Sequence, residues 1–455
     1  RDVKKLIEEY IDECIDDACN EYLAKDYPAR CAVDLAREVL DTAIAVERLR
    51  GKDREEMERR IREDAASDAR AMIEVTLGEY ISAEGSDVEV EFDSQGLASW
   101  AKSRFGVDID LEEFEEGTLA TRREIQDRLV EASEKMIQEA DLGKLDLYLA
   151  EDYGIERLIA WTRMKFDITL TVDEIRAEIA GDRGSPRELI HSKAVMRYQD
   201  REVEYPIDYA LAMTVMGMRQ SPEAALEALI GWAKVRYGLE LDADEVRKAG
   251  PAKMKSLLEE GIRKWFEEKQ LDKALEEVSA LPTVEKVDEL LRTKYDGQVP
   301  DWLSWLDEEE FHAASRGLIE ARLRPEMLQL EMTIMLDTLD QAWKDHLYAM
   351  DQLRDGINYQ AFAQQDPKIA YKKQGSELFS EMLDGVQERV AEYIFKARLN
   401  PAASMPQPAS SPQARPGGPA QGGFFGSSIS GPGFAASNAP GGKGPAGDPS
   451  KAGQA

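Results

Sequence analysis

The sequence predicts a mainly α-helical protein with a repeated unit in its middle and a disordered tail at its end. Three observations lead to this fold class. Apolar residues recur at steps of three and four along much of the first 399 residues, which is the spacing of one face of a helix. A motif centred on tryptophan occurs three times. From residue 400 onward Pro, Gly, Ser, Ala and Gln dominate, and such a tail cannot bury enough apolar surface to fold.

Composition and charge limit the functions open to the chain. Its 455 residues include 58 basic and 90 acidic ones, for a formal net charge of −32. Nucleic-acid binding needs clustered Lys and Arg, so we expect no nucleic-acid partner. No apolar run approaches the roughly 18 residues of a membrane span. The three cysteines fit a reducing compartment. The length predicts two to four domains, and the first residue, Arg1, indicates a piece of a longer protein.

The N-terminal segment predicts helices followed by a short strand. One helical face is formed by Ile7, Tyr10, Ile11, Cys14, Ile15, Ala18 and Tyr22. Further helical stretches cover about 33–49 and 53–80, the second with a charged, solvated face. Val88, Val90 and Phe92 alternate with acidic residues and predict a strand.

The repeated unit comes next. Its motif places a Leu three positions before a Trp, then basic residues, then an aromatic residue five positions after the Trp. The clear copies are Leu97–Phe105, Leu158–Phe166 and Leu229–Tyr237, and a degenerate fourth copy is Leu290–Tyr295. The three tryptophans share a helical face with the leucines, so we interpret Trp100, Trp161 and Trp232 as core anchors and not as ligand-stacking residues.

Each copy continues with alternating apolar residues, which predict a short strand. A helix N-cap with Glu three positions later follows in each copy; the pairs are Asp110 with Glu113, Thr171 with Glu174, and Asp242 with Glu245. A second long helix comes after these caps. The unit is therefore predicted to be helix, short strand, helix.

The last ordered segment predicts two antiparallel helices. The first begins at Pro325 and carries an apolar stripe at Leu336, Leu339, Trp343, Leu347, Met350, Leu353 and Ile357. Asp366 and Pro367 supply the cap and first turn of the second helix, which ends near Asn400. Helices joined by so short a loop lie antiparallel.

This pair resembles the two-helix finger of SecA, the ATP-driven motor of the bacterial Sec export pathway. The match is carried by Trp343 to Leu347, Met350-Asp351, Leu353-Arg354, Gly356-Ile357, Ala363-Gln364, Asp366-Pro367, Tyr371-Lys372 and Leu378-Phe379. The resemblance implies a finger tip that contacts the translocating polypeptide, through Tyr359, Gln360, Phe362 and Gln364. It also implies packing between finger and scaffold by Trp343, His346, Leu347, Met350, Tyr371 and Phe379.

The repeats resemble the helical wing of SecA, which usually holds one such unit, so we interpret 51–310 as an expanded wing. Its repeats lie at about 85–150, 151–220, 221–280 and 281–310. Residues 1–50 are then the distal scaffold helix and the helix after it. Residues 311–399 are scaffold and two-helix finger, and 400–455 are the tail.

The resemblance implies as partners the SecY channel complex, unfolded preprotein and the motor domains that precede this region. It implies a cytoplasmic protein, peripheral on the cytoplasmic face of the inner membrane. No GxxxxGK[ST] phosphate loop is present in the sequence, so ATP and Mg belong to the upstream motor. We assign no catalytic residue, cofactor or metal to this chain and expect no ATP hydrolysis by it alone.

Two other functions stay open at this point. The first is a stand-alone acidic helical adaptor that has kept the finger for partner binding. The second is an enzyme whose acidic repeats hold a metal. Motor motifs in frame upstream of Arg1 favour the translocase, a nearby start codon favours the adaptor, and metal in the purified chain favours the enzyme.

Overall fold

The computed structural model describes residues 3–80, 94–108, 119–181, 184–248, 250–295, 297–357 and 367–398. Over these ranges the secondary structure is helical, and none of the described residues forms a strand. Within the same ranges, no helix combines the length and the apolar content that a bilayer crossing requires.

The helices are α1 (Val3–Tyr22), α2 (Tyr27–Leu40), α3 (Val46–Leu49), α4 (Arg54–Tyr80), α5 (Ser94–Phe105), α6 (Leu119–Glu139), α7 (Lys144–Tyr148), α8 (Tyr153–Phe166), α9 (Val172–Ile179), α10 (Pro186–Met218), α11 (Pro222–Tyr237), α12 (Ala243–Lys248), α13 (Pro251–Glu267), α14 (Gln270–Ser279), α15 (Val284–Lys294), a 3₁₀-helix (Asp301–Trp305), α16 (Glu308–Leu323), α17 (Pro325–Gly356) and α18 (Pro367–Lys396). The predicted mainly α-helical class is confirmed.

The chain folds as two compact units. One comprises Arg1–Cys14, Lys165–Ile168 and His191–Ala455, and the other comprises Ile15–Met164 and Thr169–Ile190. In the second unit, one apolar cluster joins α2, α4 and α7, and another joins the end of α4 to α5 and α6. In the first unit, one cluster joins α10, α11 and α13, and another joins α14, α15, the 3₁₀-helix and α16.

The repeated motif builds the centre of its core from positions other than its tryptophan, while Trp100 and Trp232 pack against the edge of their apolar clusters. The buried positions are the leucine, the small residue four positions later and, in the second and third copies, the aromatic residue eight positions later; the members are Leu97, Ala101, Leu158, Thr162, Phe166, Leu229, Ala233 and Tyr237. The tryptophans Trp100, Trp161 and Trp232 are only half-buried. A spacing of four fixes the buried stripe, and the tryptophan, one position off that stripe, lies at its edge.

Each motif helix is followed by a residue with left-handed backbone. The φ angles are 67° at Gly106, 56° at Asp167 and 68° at Gly238. In the first and third copies this residue closes the helix with a Schellman-type bond, in which Val107 N–H donates to Ala101 O (3.4 Å) and Leu239 N–H donates to Ala233 O (3.2 Å).

The short strands predicted after the motif helices are not strands where the structure describes them. Ile168 and Leu170 are buried while Thr169 is exposed, so the predicted alternation is present. The segment has no strand beside it among the described residues and therefore forms no ladder. The expected strand at Val88–Phe92 lies outside the described residues, and so does the cap pair Asp110 and Glu113.

The predicted capping box of the second copy is confirmed. Glu174 N–H donates to Thr171 Oγ1 (3.3 Å), and Thr171 N–H donates to Glu174 Oε2 (2.8 Å). In the third copy Asp242 Oδ1 accepts from Asp244 N–H (2.7 Å), and the side chain of its predicted cap partner Glu245 lies outside the described residues.

Candidate functional site

The candidate site is the antiparallel pair α17 and α18. α17 begins at Pro325 and α18 at Pro367, as predicted. Their 32 and 30 residues correspond to rods of roughly 48 and 45 Å at 1.5 Å per residue. The predicted tip residues Tyr359, Gln360, Phe362 and Gln364 lie outside the described residues, so their role stays a prediction.

The outer part of α17 buries a narrow stripe of small and medium side chains. Ile334, Thr338 and Ala342, spaced by four, are buried, and Met382 and Val386 are buried on α18. Farther out Met350 packs on α18, since a Cβ on Gly375 would lie 3.0 Å from Met350 Cε.

The predicted apolar stripe of α17 is largely exposed in this chain, and the packing role of its residues stays a prediction. Trp343 is 45% exposed and Leu347 is 48% exposed. His346 and Tyr371 are half-buried, and Phe379 is 43% exposed. The ring centroid of His346 lies 5.7 Å from that of Trp343 and 5.7 Å from that of Phe379. The reason is that α18 is the main neighbour of this part of α17, and one neighbour covers only one narrow stripe.

We call the uncovered residues the exposed stripe. They follow one another along α17 at steps of three and four, which places them on one side of the helix; they are Met332, Leu336, Leu339, Trp343 and Leu347. Five large apolar side chains on one helix face form a surface suited to covering by another helix.

A buried network of charges holds the N-terminal end of α17, which we call its root. Arg324, at the break between α16 and α17, pairs with Glu331 and lies 2.9 Å from Glu202 Oε1 through its Nη2. Tyr198 Oη donates to Glu331 Oε1 (2.5 Å). Lys4 Nζ donates to Glu202 Oε2 (2.9 Å). Two cations and two carboxylates thus balance one another, and α1 and α10 are tied to α17.

Burial raises the free-energy cost of keeping the groups of this network charged. Tyr198 and Glu331 are 0% exposed, and Arg324 and Glu202 are each 3% exposed. Burial raises the pKa of Glu331, against the opposing effect of the Arg324 charge and the Tyr198 hydrogen bond. Burial also disfavours the charged form of Arg324, but the Glu202 and Glu331 carboxylates more than reverse this and raise its pKa. The charge of Arg324 is therefore retained by its carboxylate partners, whereas burial works against the charge of Glu331.

Two cations hold the C-terminal end of α18, which we call its root. Arg201, 1% exposed, donates to the carbonyl oxygens of Ile394 (3.3 Å) and Ala397 (2.5 Å), which lie at the end of α18. Burial lowers the pKa of Arg201 to about 10. Lys165 Nζ donates to Glu388 Oε1 (2.7 Å) and Glu392 Oε2 (2.9 Å) on the same helix.

Lys165 has a counterpart in the third copy of the repeated motif. It follows Leu158 by seven positions, as Arg236 follows Leu229. Arg236 pairs with Glu326 in the first turn of α17, and Trp232 Nε1 donates to Glu326 Oε1 (3.2 Å). Equivalent basic residues of two repeats therefore contact α18 and α17. The sequence analysis missed this contact, although the basic residue recurs in every copy.

The arrangement is mechanical in character. Both helices are fixed at their roots, while their outer parts are in contact chiefly with each other. Among the described residues, no group of three or more His, Cys, Asp or Glu is placed to hold a metal ion.

Comparisons with known proteins find similar sequences among SecA translocases. Residues 220–398 match the family model described as the SecA wing and scaffold domain. The chain is 29% identical over 362 residues to protein translocase subunit SecA 1 of Rhodopirellula baltica, a match that covers 73% of this chain and 28% of that protein. It is 38% identical over 122 residues to SecA of Endomicrobium trichonymphae, covering 24% of this chain and 14% of that protein.

A shorter match, 45% identical over 73 residues, is found with SecA of Pelotomaculum thermopropionicum; it covers 16% of this chain and 8% of that protein. The chain thus spans less than a third of the length of the curated relatives it matches. No solved structure matches it. The Rhodopirellula match is longer than the 220–398 segment, so part of the sequence outside the wing and scaffold domain is also shared with that relative. Residues 220–398 are therefore similar to the SecA wing and scaffold domain, and the chain is similar over 362 residues to a SecA translocase subunit.

Proposed function

We propose that the chain is the wing, scaffold and finger region of a SecA-type translocase that moves unfolded preproteins through the SecY channel. The pair α17–α18 is the finger, and Phe362 at its tip touches the moving polypeptide. The observation that carries this proposal is the SecA wing and scaffold match over 220–398, a range that includes both helices of the pair.

The packing of the pair supports a lever role. A part that transmits force needs a stiff root, and the buried network around Arg324 and the Arg201 contacts supply one. It also needs an input, and the exposed stripe on α17 offers a surface on which motor or scaffold elements outside this chain can bear. ATP and Mg would act in that motor and not in the region described.

The proposed setting follows from the proposed partners. The protein works in the cytoplasm, peripheral on the cytoplasmic face of the inner membrane, where it meets the SecY channel complex. The net charge of −32 opposes direct binding of the bulk of the chain to anionic lipid. We therefore propose that membrane contact runs through the channel.

Translocation into inverted membrane vesicles tests the proposal. In the longer polypeptide that carries this region, Phe362→Asp should lower the rate of preprotein import strongly, because a charge replaces the apolar contact at the tip. The matched control is Val235→Asp, the same chemical change at a side chain that is 88% exposed on α11. The control should import at the parental rate.

The outcomes separate the translocase from the adaptor. Loss of import with Phe362→Asp, while melting and ATP turnover stay parental, supports the finger role. Parental import by Phe362→Asp contradicts it. An adaptor without a motor would show no import in any version, and the upstream reading frame would lack motor motifs.

A further inference from the structure

The 3₁₀-helix between α15 and α16 presents two tryptophans to solvent. Trp302 is 43% exposed and Trp305 is 79% exposed. In a 3₁₀-helix, side chains three positions apart lie one above the other, so the two indoles share one face. Tryptophan has a large apolar side chain that is usually buried for the most part. A pair of exposed indoles is therefore unusual on the surface of a folded protein.

The opposite face of this turn is anchored. Leu303 is 1% exposed and belongs to the apolar cluster of α14, α15 and α16, and Leu306 packs against the same cluster. Ser304 Oγ donates to Asp301 O (2.8 Å), and Leu303 N–H donates to Pro300 O (3.1 Å). The turn is thus held in place, and the indoles are presented in a fixed arrangement.

The turn is an addition to the repeated unit. From the motif aromatic to the next helix cap there are five positions in the second copy (Phe166 to Thr171) and five in the third (Tyr237 to Asp242). In the fourth copy there are twelve, from Tyr295 to Asp307, and the longer connection contains both tryptophans. The core of the unit does not require them, since the second and third copies close without such a turn.

The segment that carries the indoles is acidic. Residues 297–312 contain five carboxylates and neither Lys nor Arg. These acids, Asp301, Asp307, Glu308, Glu309 and Glu310, are all exposed. The cleft beside the turn has a volume of about 730 Å³, and the charged side chains along its wall are Glu285, Asp307 and Glu308.

We propose that Trp302 and Trp305 form a docking surface for a polypeptide segment that carries Arg or Lys beside apolar residues. Guanidinium and ammonium groups stack on indole faces and pair with the surrounding carboxylates. The apolar residues of the segment cover the indoles and enter the cleft. This surface lies on the wing side of the chain and does not depend on the finger.

The observations favour a basic polypeptide over the other partners that tryptophans serve. An anionic membrane surface is repelled by the five carboxylates. Single-stranded nucleic acid stacks on aromatic residues, but its phosphates require cations, and residues 297–312 contain neither Lys nor Arg. An acidic or neutral apolar peptide would leave the carboxylates without a partner.

Binding of labelled peptides to the 455-residue chain tests the proposal. The probe is a fluorescein-labelled peptide of Arg-Leu-Ser repeats, and the matched peptide has Glu-Leu-Ser repeats. Fluorescence anisotropy gives the Kd for the parent, for Trp305→Ser, for Trp302→Ser/Trp305→Ser and for Glu308→Gln/Glu309→Gln. Val235→Ser, an exposed apolar site away from the turn, is the control, and melting curves establish that each variant is folded.

We expect the parent to bind the arginine peptide, with a Kd that rises with ionic strength, and not the glutamate peptide. Trp305→Ser should weaken binding about tenfold or more, in the manner of a tryptophan hot spot. The glutamine variant should weaken it less, and Val235→Ser should not. The proposal is overturned if Trp305→Ser binds as the parent does, if both peptides bind equally, or if neutral phosphatidylcholine vesicles occupy the surface as well as the arginine peptide.

Discussion

Removing one charge from the root of α17 should destabilise the unit that contains it far more than a surface change would. Glu331→Gln keeps the shape of the side chain and an oxygen that can accept from Tyr198 Oη, but it leaves Arg324 and Lys4 to share Glu202 alone. An uncompensated buried cation costs about 3–5 kcal/mol. For a unit of this size that corresponds to a fall in Tm of about 6–20 °C.

Thermal unfolding followed by circular dichroism measures this effect, and hydrogen exchange at the amides of α17 locates it. Glu309→Gln, an identical change at an exposed site, is the control and should shift stability by no more than about 0.5 kcal/mol. Arg324→Met/Glu331→Met removes both charges and leaves Lys4 paired with Glu202. It should therefore cost less than the sum of the two single changes.

The reasoning is refuted if Glu331→Gln melts together with the Glu309→Gln control. That result would mean that Arg324 is compensated by Glu202 alone and that the second carboxylate is dispensable. Strict additivity of the Arg324 and Glu331 changes would contradict the coupling between them that the geometry shows.

Other predictions test the helix C-cap at Gly238, the contacts of Lys165 with α18, and the exposed stripe. Gly238→Ala should destabilise by about 1 kcal/mol in denaturant titrations because its φ of 68° is left-handed, whereas Gly231→Ala, inside the same helix with open space around it, should stabilise by about 0.5–1 kcal/mol. Lys165→Met should cost about 1–3 kcal/mol, as for a lost charged hydrogen bond. The partners of Glu392 lower its pKa below the ordinary 4.5, and the partners of Lys165 raise its pKa above 10.5. The loss of stability caused by Lys165→Met should therefore persist over the pH range between these two pKa values. It should shrink as pH falls through the first pKa or rises through the second, as unfolding measured against pH would reveal. Trp343→Ala should cost less than the about 3–5 kcal/mol of truncating a fully buried aromatic, because its side chain is 45% exposed, and an equal cost in melting curves would contradict the exposed stripe.

Local signals in the sequence were sufficient for the elements of the site. Proline at the start of α17 and α18 predicted where both helices begin, because the N–H of a first-turn residue makes no intrahelical hydrogen bond that proline would remove. Thr171 and Glu174 predicted a capping box for the same kind of local reason. The repeated motif predicted recurring helices, and its leucines are buried as expected.

Which face of a helix is buried was decided by its neighbours. The period of Leu336, Leu339 and Trp343 predicted one apolar side correctly, but periodicity cannot say whether another helix covers that side. In the structure α18 covers the adjacent stripe of Thr338 and Ala342 instead.

The charged root was likewise beyond sequence reasoning. Glu331 lies between the buried Leu330 and Ile334 on α17, a local signal of a buried charge. Its partners, however, come from residues distant along the chain: Tyr198 and Glu202 on α10, with Lys4 on α1. The sequence by itself determined the helices, their caps and the repeat, because those depend on residues a few positions apart. Only the tertiary structure decided which charges are buried together and which apolar stripe stays open, because both depend on which helices come to lie side by side.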